Sequence, residues 1–279
     1  MSIRALDREA AVKAYQQDGY LIFREVLDSA LVAEASDHVA WLQQRHPELR
    51  GEELSHELVA RDPFWVRLVS DDRLLDIAEM FVGPDIALFA SHYISKPPFS
   101  GQPVLWHQDG AYWPLEPMNV VTLWLAVDQS VPENGCLRVI PGSHRGELHV
   151  LRRRDDTDSV LGSESATDVD ESQAVDMILA PGDVEVHHPK IMHGSNANTS
   201  PRRRCGLTIR YIPTSTRIVT EQQPYASALL LRGDPGVNIY QPRPPFVPGR
   251  DFGFAGSERW TATERGRYPL TPPETTRTK

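Results

Sequence analysis

Val121-Thr122-Leu123-Trp124-Leu125-Ala126-Val127 alternates: Val121, Leu123, Leu125 and Val127 share one face of an extended chain, and Thr122, Trp124 and Ala126 share the other. The stretch 204–211 repeats the pattern, with Cys205, Leu207, Ile209 and Tyr211 opposite Arg204, Gly206, Thr208 and Arg210. Each reads as a strand with one oily face and one face of functional groups. A single amphipathic strand would turn its polar face to water. Polar faces that together hold His, Asp, Arg, Ser and Trp can instead line the mouth of a barrel. Short apolar or alternating runs broken by Gly, Pro, Asn and Asp recur at 86–95, 104–109, 119–128, 136–140, 175–180, 183–187, 190–194 and 203–212. Many short strands with frequent turns predict a mainly β sandwich or barrel.

Upstream the apolar period is helical. Asp7 is placed to cap a helix to about Gln17, with Ala10, Ala11, Ala14 and Tyr15 as its stripe, before Asp18-Gly19 and a short strand from Tyr20 to Phe23. Asp28 opens a second helix to about His46 on Leu31, Val32, Ala35, Val39 and Leu42, and a third runs from Asp71 to Phe81 before Val82-Gly83-Pro84. Helices of this kind are expected to pack on the outside of the β core. Residues 152–174 begin Arg152-Arg153-Arg154-Asp155-Asp156 and end in a Ser/Asp/Glu-rich tract; they predict a long polar loop, a solvated insertion or a lid over a site. The expected organisation is one domain over 1–260, with a helical start at about 7–82 and a β core at about 85–240, followed by a loose Thr/Pro/Arg-rich tail over 261–279.

The 279 residues carry 29 Lys and Arg against 38 Asp and Glu, a net charge of −9, which disfavours nucleic acid and anionic membranes as partners. Cys136 and Cys205 are too few for a disulfide framework and read as buried reduced thiols. The first residues lack the apolar core of a secretory signal and no run approaches the ~20 apolar residues that span a bilayer, so a cytoplasmic location is expected. The oligomeric state has no usable signal in a single sequence.

Chemistry concentrates in Trp106-His107-Gln108-Asp109-Gly110-Ala111-Tyr112-Trp113. On a strand, positions i and i+2 face the same way about 7 Å apart, so His107 and Asp109 can share one metal ion. A bare His-x-Asp is a weak signal in a chain with ten histidines. It needs a third ligand to complete the two-histidine, one-carboxylate face that leaves open positions on non-haem Fe(II). The candidates lie in 182–196, and His193 is favoured because its run leads to a turn at Asn196 to Pro201 whose return strand brings Arg204 beside it. His187 and His188 read as surface histidines or as histidines behind the ligands. An inward Arg204 would be a costly buried charge unless it met a carboxylate, and its fork suits a carboxylate ligand. Arg202 and Arg203 read as a solvated basic patch. Arg210 reads as an internal ion-pair partner, with an anionic substrate group as the alternative. Tyr112 and Trp113 are candidates for a substrate wall or for core packing.

With Glu133-Asn134-Gly135-Cys136-Leu137-Arg138-Val139-Ile140-Pro141-Gly142-Ser143-His144, His193-Gly194-Ser195, Asp18-Gly19-Tyr20-Leu21-Ile22 and Lys96-Pro97-Pro98, the HxD segment resembles the phytanoyl-CoA dioxygenase family of Fe(II)/2-oxoglutarate oxygenases over about residues 11–240. The resemblance implies a double-stranded β-helix, the cupin-like jelly roll. It implies His107, Asp109 and His193 as iron ligands and Arg204 as partner of the C5 carboxylate of 2-oxoglutarate. Ser195 and Trp124 become further co-substrate contacts, and so does His92, four before Lys96, where the family often has a non-titrating side chain such as Met. The Asn134-Gly135 turn and His144 are implied to be structural. The implied reaction couples oxidative decarboxylation of 2-oxoglutarate by O2, to succinate and CO2, with hydroxylation or another oxidation of an unactivated C–H bond in a small, specialised metabolite. Related halogenases have a small residue at the carboxylate position, so an intact Asp109 argues against halogenation. The alternatives are a cupin-like metal-dependent isomerase or hydrolase without 2-oxoglutarate, and a ligand-binding protein that retains the barrel without turnover.

Overall fold

The computed structural model describes residues 8–55, 57–219 and 228–260. The expected Asp7 cap and the 261–279 tail lie outside them. Helices α1 (Arg8–Asp18), α2 (Ser29–Arg45), α3 (Pro63–Val69) and α4 (Asp72–Val82) precede every strand but the first. Asp28 and Asp71 cap α2 and α4 by accepting the Leu31 and Arg73 backbone N–H groups at 3.0 and 3.2 Å. Helix α3 has no counterpart in the sequence reading. Its residues are apolar nearly all round, so they show no helical period, and its start is marked by Asp62 accepting from the Trp65 N–H at 2.8 Å and by Pro63 in the first turn.

The strands are β1 (Tyr20–Phe23), β2 (Ile86–Lys96), β3 (Val104–His107), β4 (Leu115–Glu116), β5 (Val121–Ala126), β6 (Leu137–Val139), β7 (Leu151–Arg153), β8 (Ser163–Ser165), β9 (Val175–Asp176), β10 (Val184–His187), β11 (His193–Ser195), β12 (Arg204–Pro213), β13 (Arg217–Ile218) and β14 (Leu229–Arg232). A six-stranded antiparallel sheet runs β1-β10-β5-β12-β2-β14, and a four-stranded one runs β3-β11-β6-β9. Together they form the double-stranded β-helix.

The oily faces behave as their alternation requires. Val121, Leu123, Leu125, Cys205, Leu207, Ile209 and Tyr211 join Leu31, Ala35, Val39, Leu42, Leu74 and Ile77 of the helices in one buried cluster. Each such aliphatic side chain contributes about 1.5–3 kcal/mol by leaving water. This layer covers the outer face of the larger sheet and leaves the opposite face, with Trp124, Arg204, Thr208 and Arg210, turned toward the smaller sheet. Both cysteines are buried and unpaired.

Two expectations change. Strands β11 and β12 do not form a hairpin: β11 pairs with β3 and β6, whereas β12 pairs with β2 and β5. The connection crosses between sheets, and the Asn198 amide fixes it by donating to the Lys96, Pro97 and Arg202 carbonyls at 3.2, 3.0 and 2.7 Å. The segment 152–174 is no uniform loop. Strands β7 and β8 pair antiparallel from Leu151↔Ser165 to Arg153↔Ser163, and Glu164 pairs with both Arg152 and Arg154. A helical turn follows at Glu171–Gln173.

His188 sits outside the barrel against Tyr15 and His144, ring centroids 6.0 and 5.1 Å away, and its Nδ1 accepts the Lys190 N–H at 3.0 Å. Burial, with the nearby His144 and Lys190 charges, lowers its pKa from 6.5 to about 4. The unfolded chain therefore binds a proton there before the folded chain does. The stability that His188 contributes is whole above pH 6.5 and declines as pH falls toward 4. The thermal midpoint of His188→Gln is accordingly expected to fall less than that of the wild type between those limits. Equal falls in pH-resolved melting curves would contradict this.

Candidate active site

Between the two sheets lies a cavity of about 270 Å³ lined by residues from β2, β3, β5, β6, β10, β11 and β12. His107 and His193 face each other across the β3–β11 pairing, ring centroids 4.1 Å apart. Asp109 is not on the strand as the spacing suggested. The strand ends at His107, and Asp109 opens a helical turn to Tyr112. The chain leaves the sheet here because the Gly110 N–H donates to the Pro189 carbonyl at 2.8 Å, while the Gln108 amide donates to the Glu147 and Lys190 carbonyls at 3.1 and 2.8 Å. The turn still aims the carboxylate at the imidazoles. Asp109 Oδ1 lies 3.5 Å from His107 Nε2 and 3.8 Å from His193 Nε2.

These three side chains are the one group of His, Cys, Asp and Glu among the described residues whose ligand atoms all lie within 4.8 Å of one another. Their surroundings prepare them for a cation. Each histidine directs Nδ1 to a backbone carbonyl, Leu105 at 2.8 Å and Ile191 at 3.0 Å, so the N–H sits on Nδ1 and the Nε2 lone pair is free to coordinate. Burial and the neighbouring His107 and His187 hold His193 well below its ordinary pKa, so no proton has to leave before a metal binds. Burial alone would raise the Asp109 pKa. Arg210 and the adjacent His107, His187 and His193 outweigh it and keep the carboxylate ionised. The second oxygen, Oδ2, is held by the Thr122 hydroxyl at 3.3 Å and the Arg210 Nη2 at 3.4 Å, which leaves Oδ1 for the ion. Two imidazoles with Nε2 aimed at one point and one carboxylate, all buried, suit Fe(II) with open coordination positions.

Arg204 occupies another wall of the same cavity, 2% exposed. Its Nε and Nη2 donate to the Gly135 carbonyl at 2.9 and 2.6 Å, and Nη2 also reaches Ser195 Oγ at 3.3 Å. Among the described residues no carboxylate lies within ion-pair distance of it. Burial pulls its pKa down to about 10. A buried guanidinium held by neutral acceptors alone is costly, and a ligand carboxylate entering the cavity would supply the missing charge. Trp124 stacks on it, with Arg204 Cζ 5.3 Å from the ring.

The alternation of β10 places Glu185 and His187 inward, so of the two expectations for His187 the structure takes the one behind the ligands, not the surface. His187 lines the cavity, with Nδ1 2.7 Å from Glu185 Oε2 and Nε2 3.6 Å from Asp109 Oδ2. Burial would lower its pKa, but Glu185 and Asp109 raise it to about 9. Lys96 is also part of the site. It is wholly buried and donates to Ser195 Oγ at 2.7 Å and the Asn196 carbonyl at 2.6 Å, which orients the hydroxyl that Arg204 touches. His92 engages Arg210 rather than Arg204: its Nδ1 lies 2.9 Å from Arg210 Nη1.

Two glycines make this arrangement possible. Gly135 has φ +75°, and a Cβ there would sit 2.4 Å from the Asn196 carbonyl oxygen, so the carbonyl that holds Arg204 depends on glycine. At Gly206, on the inner face of β12, a Cβ would fall 1.9 Å from Trp124 Cζ2. Gly206→Ala is therefore expected to cost about 1–3 kcal/mol by overpacking and to push the indole toward the Arg204 end of the cavity. Denaturant midpoints and 2-oxoglutarate affinity should both fall; an unchanged pair would show that the ring has room to move.

The profile of the phytanoyl-CoA dioxygenase (PhyH) family matches residues 15–206, more than half of the chain. This chain belongs to the phytanoyl-CoA dioxygenase family. As a member it is an Fe(II)- and 2-oxoglutarate-dependent dioxygenase that uses O2. Ectoine dioxygenase of Sphingopyxis alaskensis is 28% identical over 265 residues, covering 82% of this chain and 83% of that one. The structure of that EctD protein with bound iron superposes with a TM-score of 0.65 at 26% identity, over 83% and 88% of the two chains. Another EctD structure holds 2-oxoglutarate and 5-hydroxyectoine. The chain spans about half the length of further curated relatives, such as the probable α-ketoglutarate-dependent hypophosphite dioxygenase of Stutzerimonas stutzeri, 34% identical over 148 residues, 52% of this chain and 51% of that one. The non-heme monooxygenase ThoJ shares the fold, with a TM-score of 0.73 at 24% identity over 88% and 91% of the chains. No described helix of this family member is long and apolar enough to cross a membrane.

Proposed function

We propose that this dioxygenase oxidises an unactivated C–H bond of a small polar metabolite, with His107, Asp109 and His193 holding Fe(II) and with Arg204 and Ser195 holding the C5 carboxylate of 2-oxoglutarate. The observation that carries the assignment is one buried cavity containing both a His/Asp/His set with free Nε2 atoms and an arginine lacking a carboxylate. Bound iron would supply O2 activation, with 2-oxoglutarate providing two electrons and leaving as succinate and CO2. The protein's part is positioning. Lys96 orients Ser195 Oγ, Gly135 fixes the fork of Arg204, and Trp124 closes the wall beside it. Thr122 and Arg210 keep Asp109 turned so that one oxygen remains for the metal.

The β7–β8 hairpin borders the cavity. Leu161 at its turn lines the cavity, and Ser163 Oγ lies 2.6 Å from the Tyr112 hydroxyl. We assign the hairpin as a lid that shields the site from water once substrate is in place. Ectoine dioxygenase and the hypophosphite dioxygenase are named for small polar compounds, which supports the same size class here.

A screen of small metabolites tests the function. A true substrate should make succinate release equimolar with a product one oxygen heavier, or two hydrogens lighter for a desaturation. Turnover of a screened compound by the iron-loaded protein without 2-oxoglutarate would contradict the assignment.

A further inference from the structure

Strand β12 carries two arginines on its inner face, Arg204 and Arg210, six residues and so roughly 20 Å apart along the strand. Both line the cavity that holds the His107/Asp109/His193 set. Between them Gly206 leaves room for the Trp124 ring, and Thr208 belongs to the Arg210 end, since its Oγ1 accepts from Arg210 Nη1 at 2.8 Å and donates to the His92 carbonyl at 3.1 Å. Arg204 belongs to the co-substrate in the reading above. Arg210 steadies Asp109 through Nη2 and still has a donor to spare.

Arg210 is 6% exposed, and its Nε is buried with no hydrogen-bond partner. Its one ion-pair partner among the described residues is Asp109, with Nη2 3.4 Å from Oδ2, and Nη1 meets His92 Nδ1 and the Thr208 hydroxyl. The Trp113 ring lies against the guanidinium, 5.2 Å from Cζ to the centroid, which fixes its plane. Asp109 does not serve it alone: in the reading above Oδ1 goes to the metal, and Oδ2 is shared between Arg210 and the Thr122 hydroxyl. Glu185, behind it, is engaged by His187.

We infer that the Arg210 end of the cavity is an oxyanion subsite, and that the substrate of this dioxygenase carries a carboxylate or phosphonate that Arg210 receives. This rests on the proposed function, because it assumes that 2-oxoglutarate occupies the Arg204 end. An oxyanion there would take the unpartnered Nε–H and place the rest of the substrate between Trp113 and the metal-binding set. Arg210 is then a specificity-determining residue: it selects acids over their neutral isosteres, since a neutral ligand leaves the buried Nε–H without a charged acceptor.

The test uses the full chain loaded with Fe(II) and saturating 2-oxoglutarate under argon, titrated calorimetrically with acetate, methylphosphonate and acetamide, with iron content and 2-oxoglutarate binding measured in each sample. The expected result is saturable binding of at least one anion and none of acetamide, with the tighter anion naming the substrate's charged group. Arg210→Gln should weaken that anion roughly ten- to hundredfold. Acetamide binding as well as acetate, no binding by either anion, or Arg210→Gln retaining the wild-type anion affinity would each overturn the subsite. Should the variant fail to fold or to hold iron, the comparison of acetate, methylphosphonate and acetamide in the wild-type protein still decides. Failure of 2-oxoglutarate itself to bind would instead count against the function on which the subsite rests.

Discussion

Arg204→Ala is expected to weaken 2-oxoglutarate binding by two orders of magnitude or more while leaving the iron content of the protein unchanged. Removing one partner of a buried, hydrogen-bonded charge pair costs roughly 2–5 kcal/mol, because the other charge is left without compensation. Here that other charge is the far carboxylate of the ligand. Arg204→Lys should restore little of the affinity. Lysine lacks the fork that Gly135 holds by two hydrogen bonds, and it would stand beside Lys96, which burial and Arg204 already keep well below its ordinary pKa. Equilibrium titration of iron-loaded, oxygen-free protein with 2-oxoglutarate measures the effect. An affinity within about threefold of wild type in Arg204→Ala would remove Arg204 from the binding site.

His193→Ala is expected to lose iron and turnover together. Groups that merely orient a metal ligand are worth roughly 10–100-fold in affinity, so deleting the ligand itself should exceed about a hundredfold. The fold should survive, because His193 pairs with His107 and Val139 through its backbone in β11 and its Nδ1 contact is to the Ile191 carbonyl two residues away. Asp109→Ala should lose iron as well and in addition destabilise the protein, since it removes the carboxylate nearest to the buried Arg210. Metal analysis after dialysis, beside thermal unfolding, separates the two effects. Retention of stoichiometric iron by His193→Ala would exclude His193 as a ligand.

Much of this was legible in the sequence because it is written in local periods. The two-residue alternation of 121–127 and 204–211 placed the helix-facing and cavity-facing sides correctly, and Asp28 and Asp71 stand one residue before helices that begin where their caps imply. What could not be read depends on contacts between distant backbones. The Gly135 carbonyl that grips Arg204 leaves no side-chain signature, and the 134–135 segment read as structural. The crossing of 196–203 between sheets looked like a hairpin because a turn reads the same whichever strands follow it. Asp109 seemed to lie on a strand, since nothing local records that Pro189 accepts the Gly110 N–H. The roles of Lys96 and of Glu185 behind His187 have no sequence signal because buried charge is rare, and each is accommodated by a partner that the fold supplies.

The most direct test is absorption spectroscopy on metal-free protein under argon, adding Fe(II) and then 2-oxoglutarate, with Arg204→Ala and His193→Ala in parallel. A weak visible charge-transfer band that requires both additions, and that is lost in each variant at the same concentrations, is the predicted result. Wild-type protein shown to bind iron but giving no band with 2-oxoglutarate would contradict it.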